Sequence, residues 1–153
     1  MQVIGVDLGA TNIAAGIIGE DGVIEMETNV KTPVGTDGMV ILEKVRDVVR
    51  YLQEESSSNV VAIGIGTAGR VQKETGHIVF AGDTIPGWIG TEVKSELERK
   101  LLIPVFVDND VNAAALGDGW LGAAQNWKHY AYIAIGTGLG GAFVHRGEVI
   151  TGI

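Results

Sequence analysis

The chain is 153 residues long, a length that suits one domain with a buried core. With 46% hydrophobic and 20% charged residues it reads as globular and not disordered. Its net charge of −8 argues against a nucleic-acid backbone as partner, and its lack of cysteine excludes disulfides, thiol chemistry and cysteine-held zinc within these residues. No cationic leader precedes Val3 and no apolar run reaches ~18 residues, so neither a signal peptide nor a membrane span is expected, and the location expected is cytoplasmic. Glycine is in excess at 23 residues, which points to tight turns or to backbone that approaches a ligand.

Residues 2–8 read as a buried strand, 13–18 as a second, and the alternating 23–31 (VIEMETNVK) as a third. Glu20-Asp21-Gly22 has the chemistry of a hairpin turn, so three antiparallel strands come first. Over 37–55, Ile41, Val45, Val48, Val49 and Leu52 recur on one helical stripe, which SSSN (56–59) ends. VVAIGIG (60–66) is the continuous apolar run of a central parallel strand. A short helix is expected over 91–101, with Val93, Leu97 and Leu101 inward. PVFVDND (104–110) reads as a buried strand ending on carboxylates, VNAAALGDGWL (111–121) as a helix, and YAYIAIGTGLGGAFV (130–144) as strand, glycine turn, strand. The order βββαβαβα, then a new strand pair, predicts an α/β protein whose mixed sheet carries helices on its faces.

Three stretches carry chemistry. In VIGVDLGATN, Asp7 ends the first strand, and Gly9, Ala10, Thr11 and Asn12 follow in a turn whose backbone N–H groups can face phosphate oxygens. Asp7 cannot bind phosphate itself, but it can hold a hydrated Mg²⁺ that bridges to one. An ordinary hairpin with a solvated aspartate fits this stretch equally well. In IGTGLGG (135–141), Thr137 and the bare glycines, Gly138 and Gly140 among them, form a second such hairpin, which is neither a P-loop nor a dinucleotide fingerprint. The pair suggests a clamp on one polyphosphate. In VDNDVNAAALGDG (107–119), Asp108, Asn109 and Asp110 stand where a strand gives way to a helix, the place where ligands gather in open α/β sheets. A carboxylate there is kept ionised by the helix dipole and can accept a hydroxyl proton during phosphoryl transfer. Simple N-capping is the alternative and is compatible with that role.

Gly69 and Arg70, in GTAGRV, follow a buried strand and are expected on the same rim as Asp110, although a plain turn with a solvated arginine also fits. The loop AGDTIPGW (81–88) carries Thr84 and ends in Trp88, read as core. His77, His129 and His145 show no ligand spacing, and solvated or capping roles are expected of them. Glu96 and Lys100 are expected to pair across one helical turn.

Taken together, DLGATN, GTAGRV, VDNDVNAAALGD and IGTGLGGAFVHRGEVITG resemble the ROK family of sugar kinases and related repressors, within the actin/hexokinase/Hsp70-like superfamily of ATP-binding folds. The resemblance spans essentially the whole chain. It implies a ribonuclease H-like (actin-like ATPase) domain at 1–121, with a mixed five-stranded sheet and helices on both faces. The first hairpin of a second similar domain would follow at 122–153. It implies cofactor contacts at Asp7, Gly9, Ala10, Thr11 and Asn12 and at Thr137, Gly138 and Gly140, with Mg²⁺ held by Asp7 through water. Asp110 matches the family's catalytic base, and Asn109 and Asp110 match sugar ligands. Gly69 and Arg70 occupy the sugar-contact turn, and Thr84 stands where many glucokinases of the family have Asn. Asn12 stands where Lys is common.

Members of the family continue into a zinc-binding cluster and further sheet, so the chain is expected to be an N-terminal portion, inactive alone, with structural zinc only in the missing part. The expected function is ATP- and Mg²⁺-dependent phosphorylation of a hexose hydroxyl, glucokinase-like, with a hexose as partner, no nucleic acid or membrane, and a homodimer in the complete protein. The alternatives are an N-acetylmannosamine or other N-acetylhexosamine kinase, a fructokinase, or, in another class, a non-catalytic sugar-sensing module or regulator.

Overall fold

The structure, a computed structural model, describes residues 1–151 except Val34, Thr36, Asp83, Thr84 and Thr137. Three antiparallel strands open it: β1 (Gln2–Leu8), β2 (Asn12–Gly19) and β3 (Ile24–Lys31). The β2–β3 turn closes as its sequence requires. Gly22 takes a φ of +78°, its N–H donates to the Gly19 carbonyl at 3.0 Å, and the Asp21 carboxylate accepts from the Val23 N–H. Helix α1 (Gly38–Glu55) starts at Asp37, whose side chain caps it by accepting from the Met39 N–H at 3.0 Å. Strand β4 (Val60–Thr67) then runs parallel to β1, and after helix α2 (Val93–Leu101) strand β7 (Val105–Asn109) runs parallel to β4. The result is a mixed five-stranded sheet in the order β3-β2-β1-β4-β7.

Alternation along the strands sorts the sheet into two unlike faces. Ile4, Val6 and Leu8 of β1, Ile13 and Ile17 of β2, Ile63 and Ile65 of β4, and Val105 and Val107 of β7 form one core with the buried stripes of α1 and α2. Burying each such side chain contributes ~1.5–3 kcal/mol before the entropy of ordering the chain is subtracted. Trp88 is fully buried in this core, and its indole N–H donates to the Thr67 hydroxyl at 3.1 Å. The opposite face is nearly bare. Gly5 lies opposite Gly16 on one side and Gly64 on the other, a glycine row across three strands. Helix α3 (Asp110–Leu121) covers part of this face and packs against β4 and β7. Helices therefore lie on both faces, as the sequence predicts.

Helix α3 also carries a second sheet, β8 (His129–Ile135), β9 (Leu139–His145) and β10 (Glu148–Val149), in the order β10-β9-β8. Its inward residues Tyr130, Tyr132, Ala142 and Val144 close on Val111 and Ala115 of the helix.

Two local expectations change. The stretch after β4, where a turn was expected over 66–71 and no element over 72–80, forms a two-stranded sheet, β5 (Arg70–Gln72) with β6 (His77–Phe80). The Glu96–Lys100 pair does not form: Glu96 bonds Arg99 at 2.7 Å, and the Lys100 ammonium reaches back to Glu43 on α1. His129 and His145 are exposed, as expected of solvated residues, and their rings meet across the β8–β9 ladder. Among the described residues no helix is long and apolar enough to cross a membrane.

Candidate functional site

Because β1, β4 and β7 are parallel, their carboxyl ends share one edge of the sheet. Register then sets the chemistry: Asp7 lies opposite Gly66, and Gly66 opposite Asp108. A residue just beyond β7 completes the group, since Asp110 is the first residue of α3. Asp7, Asp108 and Asp110 line one cleft of about 1290 Å³, floored by Gly5, Gly16, Gly64 and Gly66 and flanked by Ala134 of β8. Glycine at 66 lets α3 approach closely, for a Cβ there would stand a tight 3.3 Å from that of Ala113 and 3.5 Å from the Asp110 Cα.

The carboxylates feel one another. Asp7 is held above the ordinary aspartate value, first by partial withdrawal from water in the cleft and then by the negative charge of Asp110. Two acidic groups sharing a crevice call for a cation or a proton, and the cleft walls supply basic groups at Lys73 and Lys94. The sequence reading did not single out either lysine.

The first turn of α3 is locked by its own side chains. Asn109 caps the helix, its Oδ1 accepting from the N–H groups of Val111 at 3.0 Å and Asn112 at 3.2 Å. Its Nδ2 donates to the Gly69 carbonyl at 2.8 Å. Asp108 accepts from the Asn109 N–H at 2.7 Å and from the Asn112 side-chain amide at 2.8 Å. Among the described residues Asp110 accepts only from the neighbouring Val111 N–H, at 2.9 Å, which leaves most of its carboxylate for the cleft. Capping and presentation of Asp110 thus coexist, with Asn109 doing the capping.

The turn after Asp7 is closed from behind. The Gly9 N–H donates to the Asn12 carbonyl at 3.0 Å. Thr32, buried at 3% exposure, donates its hydroxyl to the Gly9 carbonyl at 2.8 Å and its N–H to the Thr11 carbonyl at 3.0 Å. Ala10 is half-buried on the core, Thr11 is exposed, and Asn12 opens β2 opposite Lys31. Among the described residues the Ala10 and Thr11 N–H groups meet no protein acceptor. Thr32 carries no periodic or motif signature, which is why the sequence did not reveal it.

In the second hairpin the Gly136 N–H donates to the Gly138 carbonyl at 2.9 Å, and space is open around both glycines. Gly140 lies against α3, where a Cβ would fall 2.7 Å from the Val111 Cγ2, so this hairpin rests on the helix that presents Asp110. Gly69 takes a φ of +103° beneath the Phe80 carbonyl. Arg70 stands exposed on β5 opposite Phe80, and of the expected site residues Asp7 and Asp110 line the cleft, whereas Arg70, Gly69, Asn109 and the described residues of the two glycine turns do not. Thr84 and Thr137 lie outside the described residues.

The chain spans about half the length of the curated relatives it matches. An uncharacterized protein of Clostridium perfringens is 43% identical over 96% of this chain and 49% of its own length. The glucokinase of Thermotoga maritima is 31% identical over 99% of this chain and 47% of its own. A xylose repressor of Caldicellulosiruptor bescii is 27% identical, covering 99% and 38%. Among solved structures, a ROK family glucokinase from Streptomyces griseus, crystallised with glucose and AMPPNP, superimposes with a TM-score of 0.89 at 35% identity, over all of this chain and 47% of that one. The family model for ROK proteins matches residues 3–153, and with a mixed sheet that brings Asp7 and Asp110 into one cleft, the chain belongs to the ROK family.

Proposed function

We propose that this chain provides one wall of the cleft of an ATP-dependent sugar kinase, glucokinase-like, that phosphorylates a hexose hydroxyl. The observation that carries the reading is the convergence of Asp7 and Asp110 on one cleft, where the charge of Asp110 adds to the cost of ionising Asp7. A non-catalytic sugar sensor has no need of a repulsive carboxylate pair beside two glycine turns. The relatives are about twice as long, so the activity is proposed for a protein of that length.

Asp110 is the proposed base. Held at the first turn of α3, it accepts the proton of the sugar hydroxyl as that oxygen attacks the γ-phosphorus in line and the bond to the β–γ bridging oxygen breaks, releasing ADP. Asn109 and Gly69, bonded to each other beside Asp110, are the proposed sugar contacts at the rim, and Asn109 keeps one amide hydrogen for a hydroxyl. The phosphate side is the Gly9–Thr11 turn, with its two unclaimed N–H groups, together with the Gly136–Gly140 hairpin. Arg70 and Thr84 are kept as sugar-side candidates and Ala10, Asn12 and Thr137 as nucleotide-side ones.

The residues also fit Mg²⁺. Among the described residues no three His, Cys, Asp or Glu side chains are arranged to hold an ion directly, which suits a hydrated ion anchored by one carboxylate, Asp7, and by phosphate oxygens. Such an ion supplies charge neutralisation on the transferring phosphoryl group.

A coupled assay of ADP release over a panel of glucose, mannose, fructose and N-acetylhexosamines tests the reading on the full-length protein. Sugar-dependent ADP release supports it and identifies the acceptor. Sugar binding without ADP release in the presence of ATP and Mg²⁺ refutes it and favours the sensor.

A further inference from the structure

His129 opens β8 and His145 closes β9, and the ladder pairs the two directly. Directly opposed residues on antiparallel strands hold their Cβ atoms about 4.5–5.5 Å apart. Here the imidazole centroids are 4.5 Å apart with the ring planes inclined by 44°. Both side chains are exposed, and both lie on the face turned away from Tyr130, Tyr132, Ala142 and Val144, which pack on α3. The pair takes no part in the core or in the cleft. A ring contact of this kind could be made by any two aromatic residues. Histidine adds ring nitrogens that can ligate a metal, held near one another by the ladder pairing.

We propose that His129 and His145 form a two-imidazole site for a divalent transition-metal cation of the Zn²⁺ class, with water completing the coordination. Imidazole is the side chain such cations favour when thiolate is lacking, and this chain has no cysteine. Glu148 sits opposite His145 on β10 and adds a nearby negative charge. No three-ligand cluster exists among the described residues, so the site has two protein ligands and correspondingly modest affinity. A bound cation would clip β8 to β9 and stabilise the second sheet by linkage.

Calorimetric titration of the untagged chain with Zn²⁺, with thermal melts alongside, tests this. One saturable ion per chain and a Zn²⁺-dependent rise in Tm are expected. His129→Ala or His145→Ala should each weaken binding at least about tenfold and abolish the rise in Tm, while His77→Ala, on β6, leaves both unchanged. Proton NMR of the unmodified chain gives a reading without substitution: Zn²⁺ should move the ring signals of His129 and His145 and not those of His77. Binding undiminished in either variant, absence of saturable binding, or ring signals of the pair that ignore Zn²⁺ would each overturn the proposal.

Discussion

The side-chain amide of Asn109 donates to the carbonyl of Gly69 at 2.8 Å, and this single bond ties the first turn of α3 to the turn that leaves β4. Gly69 is held there in the left-handed region at φ +103°, with the Phe80 carbonyl only 2.5 Å from where a Cβ would stand. Gly69→Ala should therefore strain the backbone and push β5 off β6, at a cost of ~1–3 kcal/mol. Gly64→Ala is the contrast, since nothing lies within 4 Å of its would-be Cβ. Urea unfolding of both variants checks this, with a change in stability near ~0.5 kcal/mol or less expected for Gly64→Ala.

In the full-length protein Asp110→Asn should lower turnover by ~10²–10⁴-fold, the usual worth of a positioned base. Asparagine can still accept from the Val111 N–H, so the helix start survives and sugar affinity should change little. Steady-state kinetics together with calorimetric sugar binding separate the two effects, and near-normal turnover would remove Asp110 from its role.

The raised Asp7 carboxyl has a consequence for stability, and its sign is fixed by linkage. The folded chain binds the Asp7 proton more tightly than the unfolded chain does, so ionising Asp7 weakens the fold. The penalty is absent below the ordinary value of 3.8 and complete once pH exceeds the folded value. Asp7→Asn should raise Tm at pH 7, with a gain that shrinks as pH falls towards 3.8. Asp110→Asn should in turn lower the pKa of Asp7, read by carboxyl carbon NMR.

Thr32 holds the Gly9–Thr11 turn from behind, so Thr32→Val leaves the Gly9 carbonyl without its partner. The loss should be ~1–3 kcal/mol of stability by denaturant unfolding, as for any half-buried polar group left unmatched. In the full-length protein the same variant should raise the nucleotide KM more than it lowers kcat, because it loosens the turn proposed to hold phosphate and leaves Asp110 untouched.

Much of this was legible from residues alone where burial imposes a period. The run VVAIGIG could only be a covered central strand, and the stripe from Ile41 to Leu52 only a helix face. Asp7 and Asp110 were legible because a carboxylate closing an apolar strand has no packing reason to be there. The β5–β6 hairpin was not, since strands of three and four residues, RVQ and HIVF, are too short to show alternation. Contacts between residues far apart in sequence were hidden for another reason. Lys100 finds Glu43 across two helices and Thr32 finds Gly9 across a hairpin, and nothing local marks either partner.

The pairing of β1 with its neighbours also acts as a proofreading device. Side chains in a strand alternate between faces, so sliding β1 by a single position would drive Asp7 in among Ile13, Ile63 and Ile65 and turn Ile4 and Val6 outward. An unpaired charge in that oily interior is far too unfavourable to persist. The carboxylate proposed to serve chemistry at the strand's end therefore marks the one alignment in which the whole sheet can close.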